Sequence, residues 1–294
     1  MIPYKELFKS FNAIYDVPLK KLTTFKIGGN VSVVVSPQNE QEVDAFLKIV
    51  KENDINYFIM GNGSNILCSD NGFNGAILRF DRYMSQIYWE NDKAVALSGA
   101  KLYMIYDFAK YYNKGGTEFM QYIPATVGGA VVNNAGCYGN DMSEIVSKIW
   151  ATDGENVRIF DKVSAELCYR DSFFKHNKQW IITRVEFNLN NNFDDKKAKE
   201  IAEKKKYTQP LASLSAGSVF KRNGDIIPAK IIDELGLKGL TVGGAQVSRV
   251  HSGFIVNASH HATAEDVLAL IDVIKMEVKN NYGIDLETEI EMLK

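Results

Sequence analysis

The sequence contains few of the residues that bind metals or form disulfides. Its three cysteines are far apart and form no CxxC pair, so the sequence predicts neither a disulfide framework nor a zinc site. They are Cys68, Cys137 and Cys168. The four histidines show no HExxH or His-x-His spacing, and we therefore expect no metal centre. They are His176, His251, His260 and His261.

Strong net charge and long apolar runs are also missing. Lys and Arg total 34 against 36 Asp and Glu, so no overall field would attract nucleic acid or an acidic membrane. No apolar run is long enough to span a bilayer, and the first residues lack the apolar core of a signal peptide. With 46% hydrophobic and 24% charged residues, the chain has an ordinary globular composition. We expect a cytoplasmic protein with no membrane or nucleic-acid partner.

The most informative segment is residues 123–139, which read IPATVGGAVVNNAGCYG. Its seventeen residues include four glycines and three alanines, and none is charged. Glycine allows a backbone to approach a ligand closely, and asparagine amides offer donors and acceptors to a polar heterocycle. The segment therefore favours a wall for a large, flat cofactor. A tightly packed helix or sheet contact without a ligand is the alternative.

A second glycine-rich element, Gly61-Asn62-Gly63-Ser64-Asn65, follows an apolar, strand-like run at residues 55–60. Consecutive N–H groups in such a turn form a natural anion site. The spacing is neither a P-loop nor the dinucleotide fingerprint, and a second strand-like run at 66–68 follows instead of a helix. A plain hairpin turn would explain this loop by itself. Two such loops in one chain favour a shared cofactor that carries a diphosphate.

The remaining chain mixes helical and strand patterns, at a length that suits about two domains and a small third one. Apolar residues at 43, 46, 47 and 50 predict a helix that begins near Asn39. Alternating segments around polar turns predict hairpins at 87–97 and 145–160. The charged stretch 194–206 is interpreted as a solvated helix, since its acidic residues are interleaved and no aromatic residues accompany it. A capping box at Thr263 begins the last helix.

Four further motifs, at residues 23–29, 168–174, 215–222 and 286–289, complete a recognisable set. Together with both glycine-rich loops, they make the chain closely similar to the UDP-N-acetylenolpyruvoylglucosamine reductases, also called UDP-N-acetylmuramate dehydrogenases (the MurB family). The resemblance implies an α+β fold, with an FAD-binding module of the vanillyl-alcohol-oxidase (PCMH) type and a C-terminal α/β substrate domain. It places flavin subdomains at 1–80 and 81–206 and the substrate domain at 207–294. The uninterrupted run 239–257 indicates the compact second type, which lacks the extra tyrosine-bearing loop.

The same resemblance implies the chemistry. Non-covalent FAD would take electrons from NADPH and pass them to UDP-N-acetylglucosamine enolpyruvate. The product, UDP-N-acetylmuramate, would enter peptidoglycan synthesis in the cytoplasm. We expect a monomer, although the sequence itself carries no signal for the oligomeric state.

Three residues would perform the catalysis if the family roles carry over. Arg170 would bind and polarise the substrate carboxylate, since a guanidinium offers paired donors to planar oxyanions. Glu289 would stabilise the developing negative charge, and Ser218 would supply the proton. Structural alternatives exist for each: Arg170 could pair with Asp171, Ser218 could be a turn hydroxyl, and Glu289 could be one of several solvent-facing acids.

The binding residues follow from motif positions in the same way. Those expected at the cofactor are Gly61, Asn62, Gly63, Ser64, Asn65, Ile123, Pro124, Gly128, Gly129, Ala130, Asn134, Ala135, Gly136 and Gly139. Those expected at the UDP-sugar are Tyr169, Arg222, Lys238 and His251. The chain departs from the usual family pattern at Ala125, Cys137, Arg249-Val250 and Thr288, and no departure removes a catalytic group.

Two other functions are compatible with the fold that the resemblance implies. One is a flavin-dependent oxidase that acts on a sugar or an alcohol. Many such enzymes attach the flavin through a histidine, and no histidine lies near either glycine-rich loop here. The other is a catalytically silent protein that binds flavin or a UDP-sugar. The presence of all three catalytic candidates argues against it.

Overall fold

The computed structural model describes residues 2–294, with the side chains of residues 190 and 191 left outside the description. Helices and strands are interspersed along the whole chain, which agrees with the predicted α+β class. The helices are α1 Tyr4–Leu7, α2 Glu40–Glu52, α3 Leu102–Tyr111, α4 Val127–Val132, α5 Phe173–His176, α6 Asp195–Thr208, α7 Pro228–Glu234 and α8 Ala264–Tyr282. The strands are β1 Ala13–Pro18, β2 Asn30–Val35, β3 Tyr57–Met60, β4 Ile66–Cys68, β5 Phe73–Arg79, β6 Ile87–Glu90, β7 Lys93–Leu97, β8 Lys114–Gly115, β9 Gly136–Cys137, β10 Asn140–Asp141, β11 Val146–Thr152, β12 Val157–Phe160, β13 Ile181–Phe187, β14 Asn190–Asn191, β15 Ser215–Ser218, β16 Thr241–Val242, β17 Ala245–Val247, β18 Phe254–Asn257 and β19 Glu291–Leu293.

The chain divides into two compact units. The first unit contains residues up to 15 together with 32–62 and 75–204. The second unit contains 16–31, 63–74 and 205–294. The chain passes between the two units several times, because each unit is made of three separate segments. The predicted domain boundaries at 80/81 and 206/207 stay a prediction.

Two sheets form the framework of the first unit. One has the strand order β1-β2-β5-β3, in which β3 and β5 are parallel and Met60 lies opposite Arg79. The other is a five-stranded sheet of order β12-β11-β13-β7-β6 with antiparallel pairs. The carboxyl ends of parallel strands are common binding edges in sheets, and the loop that begins at Gly61 leaves β3 at such an end.

Local sequence explains the helix that packs on the first sheet. The Asn39 side chain accepts a hydrogen bond from the Glu42 N–H at 2.9 Å and caps the start of α2. Val43, Phe46 and Leu47 recur on one face and are buried in the same core as Val33 and Val35 of β2. The predicted helix after Asn39 is confirmed.

The second unit is built around a four-stranded sheet of order β15-β18-β17-β16 and the long helix α8. Thr263 and Asp266 form the predicted capping box, and Gly283 ends the helix with a φ of 70°. The apolar face of α8 is buried in one core with Ala245, Val247 and Ile255 of the sheet. Strands β4 and β19 form a separate parallel pair.

Two extended segments of the second unit pair with each other outside its regular sheet. Strand β15 ends at Ser218, and from there Val219 to Lys221 pair with the 287–289 segment. The alternating segment 284–291 is not a continuous strand, because only Glu291–Leu293 joins a regular ladder. Buried and exposed side chains alternate along this segment, as they do in a strand. Its pairing with Phe220 is nevertheless an isolated bridge at Thr288 and not part of a sheet.

Candidate active site

In the first unit, the two glycine-rich loops meet at Gly61 and Thr126. A Cβ placed on Gly61 would lie only 2.2 Å from Thr126 Oγ1, so nothing larger than hydrogen fits there without movement. Thr126 is 1% exposed, and its hydroxyl has no hydrogen-bond partner within residues 2–294. A buried polar group without a hydrogen-bond partner costs free energy. A ligand bound beside this hydroxyl and its neighbouring glycines could supply the missing hydrogen bond. The sequence predicted that the loops share a cofactor, and the structure brings them together.

The side chain of Asn62 connects the same two loops. Its amide nitrogen donates to the carbonyl oxygen of Pro124 at 2.6 Å, and its amide oxygen accepts from the ammonium group of Lys101. Asn62 therefore fixes the distance between the loop after β3 and the segment that enters α4. The sequence reasoning included Asn62 and Pro124 but missed Lys101.

Helix α4 lies close to the chain that follows β7. The N–H groups of Val127 and Gly128 donate to the carbonyl oxygens of Ala100 and Ser98 at 2.8 and 3.0 Å. A Cβ on Gly128 would lie 2.8 Å from Ser98 Oγ, whereas a Cβ on Gly129 would meet only Thr126 Oγ1, at 3.4 Å. Gly128 is therefore required by packing. Gly129 leaves space next to the unpartnered threonine hydroxyl, as the cofactor prediction needs.

After α4, Asn134 shapes the backbone that holds Arg170. Asn134 is 1% exposed; its amide donates to the Cys168 carbonyl at 2.9 Å and accepts from the Ser143 N–H at 2.9 Å. The Arg170 guanidinium donates to the carbonyl oxygens of Asn134 and Gly136, at 3.3 and 2.9 Å. Arg170 is thus attached to the glycine-rich wall.

The partner of Asp171 is His176, whose Nε2 lies 2.8 Å from the carboxylate. The Arg170 guanidinium contacts the glycine-rich wall, and its charge also lies 5.2 Å from the ring centre of Tyr169. Tyr169 is 50% exposed, which leaves its face accessible for a ligand. The geometry favours a positioned arginine over a simple ion pair with its neighbour.

Five of the predicted cofactor residues have evident structural roles. A Cβ on Gly136 would lie 2.2 Å from the Asn140 carbonyl oxygen, and Gly139 has a φ of 83° in the turn between β9 and β10. Ile123 donates its N–H to the Met120 carbonyl at 3.0 Å. Ala130 and Ala135 are joined by an N–H···O bond of 2.7 Å at the end of α4. These residues shape the wall whether or not they touch a ligand.

In the second unit, Ser218 and Glu289 lie on paired segments. The Glu289 N–H donates to the Val219 carbonyl at 2.7 Å, directly after Ser218. Ser218 ends β15 opposite Phe254, and the preceding Gly217 has a φ of 82°, which shifts the register there. Both Ser218 and Glu289 are half-buried, so each is accessible to a ligand while its backbone is held.

The rest of the second glycine-rich loop contacts this pair. The Asn65 amide donates to the Glu289 carbonyl at 3.2 Å, and its own carbonyl accepts from the Glu291 N–H at 2.9 Å. Gly63 accepts from the Thr24 N–H at 3.2 Å, and a Cβ on Gly63 would lie 2.6 Å from the Leu22 carbonyl oxygen. A Cβ on Gly217 would lie 3.9 Å from the Ser64 carbonyl oxygen, so the loop also adjoins β15.

Two basic residues predicted for the UDP-sugar, Arg222 and Lys238, lie close enough to His251 for their charges to act on it. Burial lowers the pKa of His251 below its ordinary 6.5, and the nearby positive charges of Lys238 and Arg222 lower it further. Its Nδ1 accepts from the Gly253 N–H at 3.1 Å, which is the role of a neutral imidazole. Lys238 is held by Asp233 at 2.8 Å. The cluster offers positive charge to an anion such as a diphosphate.

The predicted site residues are divided between the two units. Gly61, Asn62 and Arg170 belong to the first unit with the glycine-rich wall, and Ser218 and Glu289 belong to the second. Among residues 2–294, no group of three or more His, Cys, Asp or Glu side chains could hold a metal ion. No helix of that part of the chain is long and apolar enough to cross a membrane.

Sequence comparison assigns these features to a family. Residues 31–155 match the family described as FAD binding domain, and residues 209–293 match the family described as UDP-N-acetylenolpyruvoylglucosamine reductase, C-terminal domain. The UDP-N-acetylenolpyruvoylglucosamine reductase of Clostridium botulinum (strain 657 / Type Ba4) is 37% identical over 298 residues, which cover 100% of this chain and 96% of the relative. This chain belongs to the UDP-N-acetylenolpyruvoylglucosamine reductase family.

Two further members of this family agree with that assignment. The reductase of Caldanaerobacter subterraneus subsp. tengcongensis is 37% identical over 293 residues, which cover 98% of this chain and 96% of its own. The crystal structure of the Thermus caldophilus UDP-N-acetylenolpyruvylglucosamine reductase superposes with a TM-score of 0.81 at 28% identity, covering 97% of this chain and 99% of that one. The predicted family and fold are confirmed.

Proposed function

We propose that this protein is an FAD-containing oxidoreductase that uses NADPH to reduce UDP-N-acetylglucosamine enolpyruvate to UDP-N-acetylmuramate, for peptidoglycan synthesis. The observation that carries the proposal is the end-to-end similarity to proteins named as UDP-N-acetylenolpyruvoylglucosamine reductases. We also propose that it works in the cytoplasm as a monomer. The match of the C-terminal family to residues 209–293 supports a substrate domain that begins near residue 207.

The residues of the first unit fit a flavin dinucleotide. The buried Thr126 hydroxyl lacks a hydrogen-bond partner in the described chain and faces Gly61 and Gly129, and the missing side chain at Gly129 leaves room for a ligand. Asn62 and the backbone N–H groups of its loop provide neutral donors of the kind that bind phosphate oxygens. FAD would be held by Gly61 to Asn65 and by the wall from Pro124 to Gly136. When bound, it supplies hydride transfer from NADPH to the vinyl group of the sugar.

Arg170 is the residue that binds the substrate carboxylate in this proposal. Hydride addition to the vinyl group moves negative charge toward the carboxylate, and a guanidinium stabilises that charge by paired hydrogen bonds. The carbonyl oxygens of Asn134 and Gly136 hold the guanidinium in place before the substrate arrives. An arginine positioned in advance needs little reorganisation during the reaction.

Glu289 and Ser218 complete the proposed chemistry. A protonated Glu289 would donate a hydrogen bond to the enolate-like carboxylate and stabilise it. The Ser218 hydroxyl would give its proton to the neighbouring carbon, which is a strong base once the enolate forms. The contrast with Glu287 supports the choice of Glu289, because Glu287 is exposed and paired with Lys221.

The basic cluster in the second unit would bind the UDP part of the substrate. Arg222 and Lys238 can neutralise a diphosphate, since charged donors to phosphate are the stronger kind of hydrogen bond, and the neutral His251 can add a ring N–H donor. Tyr169, half exposed beside Arg170, offers its ring and hydroxyl to the sugar end. The two ends of the substrate would therefore be recognised by different residues.

A two-step flavin assay tests the function. The purified protein should be yellow and release FAD on mild acid treatment. NADPH should bleach the flavin without oxygen, and the enolpyruvyl sugar should then restore the colour with formation of UDP-N-acetylmuramate. A folded protein that takes up no FAD, or whose reduced flavin is not reoxidised by the substrate, would rule the proposal out.

A further inference from the structure

Two cationic side chains flank the loop that begins at Gly61. Arg79 is the last residue of β5 and lies opposite Met60, the last residue of the parallel strand β3. Lys101 precedes α3, is bridged to Thr126, and donates from its ammonium to the amide oxygen of Asn62. All of these residues belong to the first unit. Arg79 therefore sits at the carboxyl end of a parallel strand pair, and Lys101 contacts Asn62 of the loop proposed to bind FAD.

The electrostatics of this pair are unfavourable in the protein alone. Burial lowers the pKa of Lys101, and the positive charge of Arg79 lowers it further, while Asp81 acts in the opposite direction. The Arg79 Nε is buried and makes no hydrogen bond to any of residues 2–294. Two like charges held close together in a half-buried place cost free energy unless an anion joins them.

The carboxylate nearest in sequence is already engaged. Asp81 accepts from the Ser36 hydroxyl at 2.8 Å and from the Tyr83 N–H at 3.2 Å, and caps the turn after β5. Within the described chain, no carboxylate lies at ion-pair distance from Lys101 or Arg79. The anion that would complete the cluster is therefore expected from outside the chain.

We propose that Lys101 and Arg79 form a cationic subsite for the diphosphate of FAD. The inference rests on the proposed function, because it takes FAD as the ligand of the two glycine-rich loops. Asn62 links Lys101 to Pro124, so the ammonium group sits where the loop and the wall are tied together. Backbone N–H groups supply only partial positive charges. Two full cations would therefore add most to the binding affinity beside the two negative charges of the diphosphate.

A mutational titration separates charge from loop positioning. The full-length protein is freed of flavin with acid and titrated with FAD and with riboflavin, which has no phosphate, at several salt concentrations. Lys101→Met should weaken FAD binding about tenfold or more, as expected for loss of a charged hydrogen bond. It should also flatten the dependence of the FAD Kd on salt, while riboflavin binding stays within about twofold. Arg79→Met should act alike.

Two matched variants serve as controls. Lys101→Arg keeps the charge and should retain most of the affinity for FAD. Lys110→Met removes an exposed lysine of α3, the helix that follows Lys101; this lysine pairs with Asp195, and its loss should leave binding unchanged. Circular dichroism and thermal melts identify a variant that fails to fold, and if Lys101→Met does so, Arg79→Met still tests the loss of charge.

Several outcomes would overturn the inference. Unchanged FAD affinity in Lys101→Met would do so, and so would an equal loss for FAD and riboflavin, which would make Lys101 only a support for Asn62. A change confined to the KM for NADPH or for the UDP-sugar would assign the charge to another diphosphate. Wild-type protein that binds FAD but lacks reductase activity would contradict the proposed function and leave this subsite standing. Wild-type protein that binds no FAD would overturn both.

Discussion

The backbone N–H of Glu289 donates to the carbonyl oxygen of Val219 at 2.7 Å, and this bond ties Glu289 to the residue that follows Ser218. The acid and the hydroxyl are 71 positions apart in sequence (289 − 218), yet their backbones belong to one hydrogen-bonded element. A substitution of either side chain leaves that backbone bond intact. Their roles can therefore be tested separately without dismantling the site.

The first prediction is that Ser218→Ala blocks proton delivery and little else. The variant should bind FAD and the UDP-sugar, and NADPH should reduce its flavin at near the wild-type rate. Because the enolate then lacks its proton donor, flavin reoxidation by the substrate should slow by roughly a hundredfold or more in single-turnover stopped flow. Ser218→Cys should keep partial activity. Rapid reoxidation and product release in Ser218→Ala would assign the proton to water or to another residue.

The second prediction concerns charge stabilisation by Arg170 and Glu289. Arg170→Lys keeps the charge but loses the paired donors, and Glu289→Gln loses the acid. Each should slow reoxidation by the substrate by roughly two orders of magnitude, as for removal of one oxyanion donor. Flavin reduction by NADPH should change far less.

Glu287→Gln is the matched control for the acid. Glu287 is exposed and paired with Lys221, so its loss should leave both half-reactions near the wild-type rates. If Glu287→Gln were as slow as Glu289→Gln, the general negative charge of this segment would matter and not one carboxyl group. Equal slowing of both half-reactions in Arg170→Lys would point to a misplaced flavin wall.

Much of the fold follows from local sequence because its signals act over a few residues. Asn39 and the apolar positions after it define α2, and Thr263 with Asp266 defines the start of α8. The hairpin of β6 and β7 was predicted from its polar turn, in which Asn91 and Asp92 adopt φ of 46° and 60°. Such elements depend on contacts within one turn or one hairpin.

The parts that could not be predicted depend on distant contacts. Lys101 meets Asn62 across 39 positions, and no motif marks either residue as the partner of the other. Thr126 was part of the quoted glycine-rich segment, but its importance comes from a hydroxyl without a partner, which only the packed structure reveals. The catalytic residues came from the family resemblance, and their roles stay predictions.

The third prediction tests the meeting of the two loops. Gly61→Ala places a methyl group 2.2 Å from Thr126 Oγ1, and a β-branched side chain can move little to avoid it. The variant should lose about 1–3 kcal/mol of stability through overpacking. Its FAD affinity should fall as well, because the loops are forced apart. Chemical unfolding and flavin titration measure the two effects.

The double variant Gly61→Ala/Thr126→Ala provides the internal control. Removing the threonine hydroxyl and methyl opens space for the new Cβ, so the double variant should recover part of the stability that Gly61→Ala loses. Its affinity for FAD should stay low, since the unpartnered hydroxyl that we assign to the cofactor is gone. Full recovery of FAD binding would remove Thr126 from the proposed cofactor contacts.

The fourth prediction uses the ionisation of His251. Burial lowers its pKa below 6.5, so between that value and the lower pKa of the folded state the unfolded chain binds more protons. Stability should therefore fall as the pH drops through about 6.5 and level off once the folded state is also protonated. His251→Asn keeps an acceptor for the Gly253 N–H but does not titrate, and its stability should depend less on pH in this window. Urea unfolding of both proteins at several pH values measures the difference.

The same imidazole reports on the basic cluster around it. Because the positive charge of Lys238 contributes to the lowered pKa of His251, Lys238→Met should raise that pKa, and Arg222→Met should raise it too. In Lys238→Met, Asp233 also loses its ion-pair partner. Its carboxylate favours the charged imidazolium and therefore also raises the pKa of His251. Lys279→Met, which removes a lysine paired with Asp285, should leave the titration unchanged. An NMR titration measures the pKa of His251 in each variant. An unchanged pKa in both Lys238→Met and Arg222→Met would contradict a shared diphosphate cluster. Charges that do not affect the imidazole are too far away to bind the same anion with it.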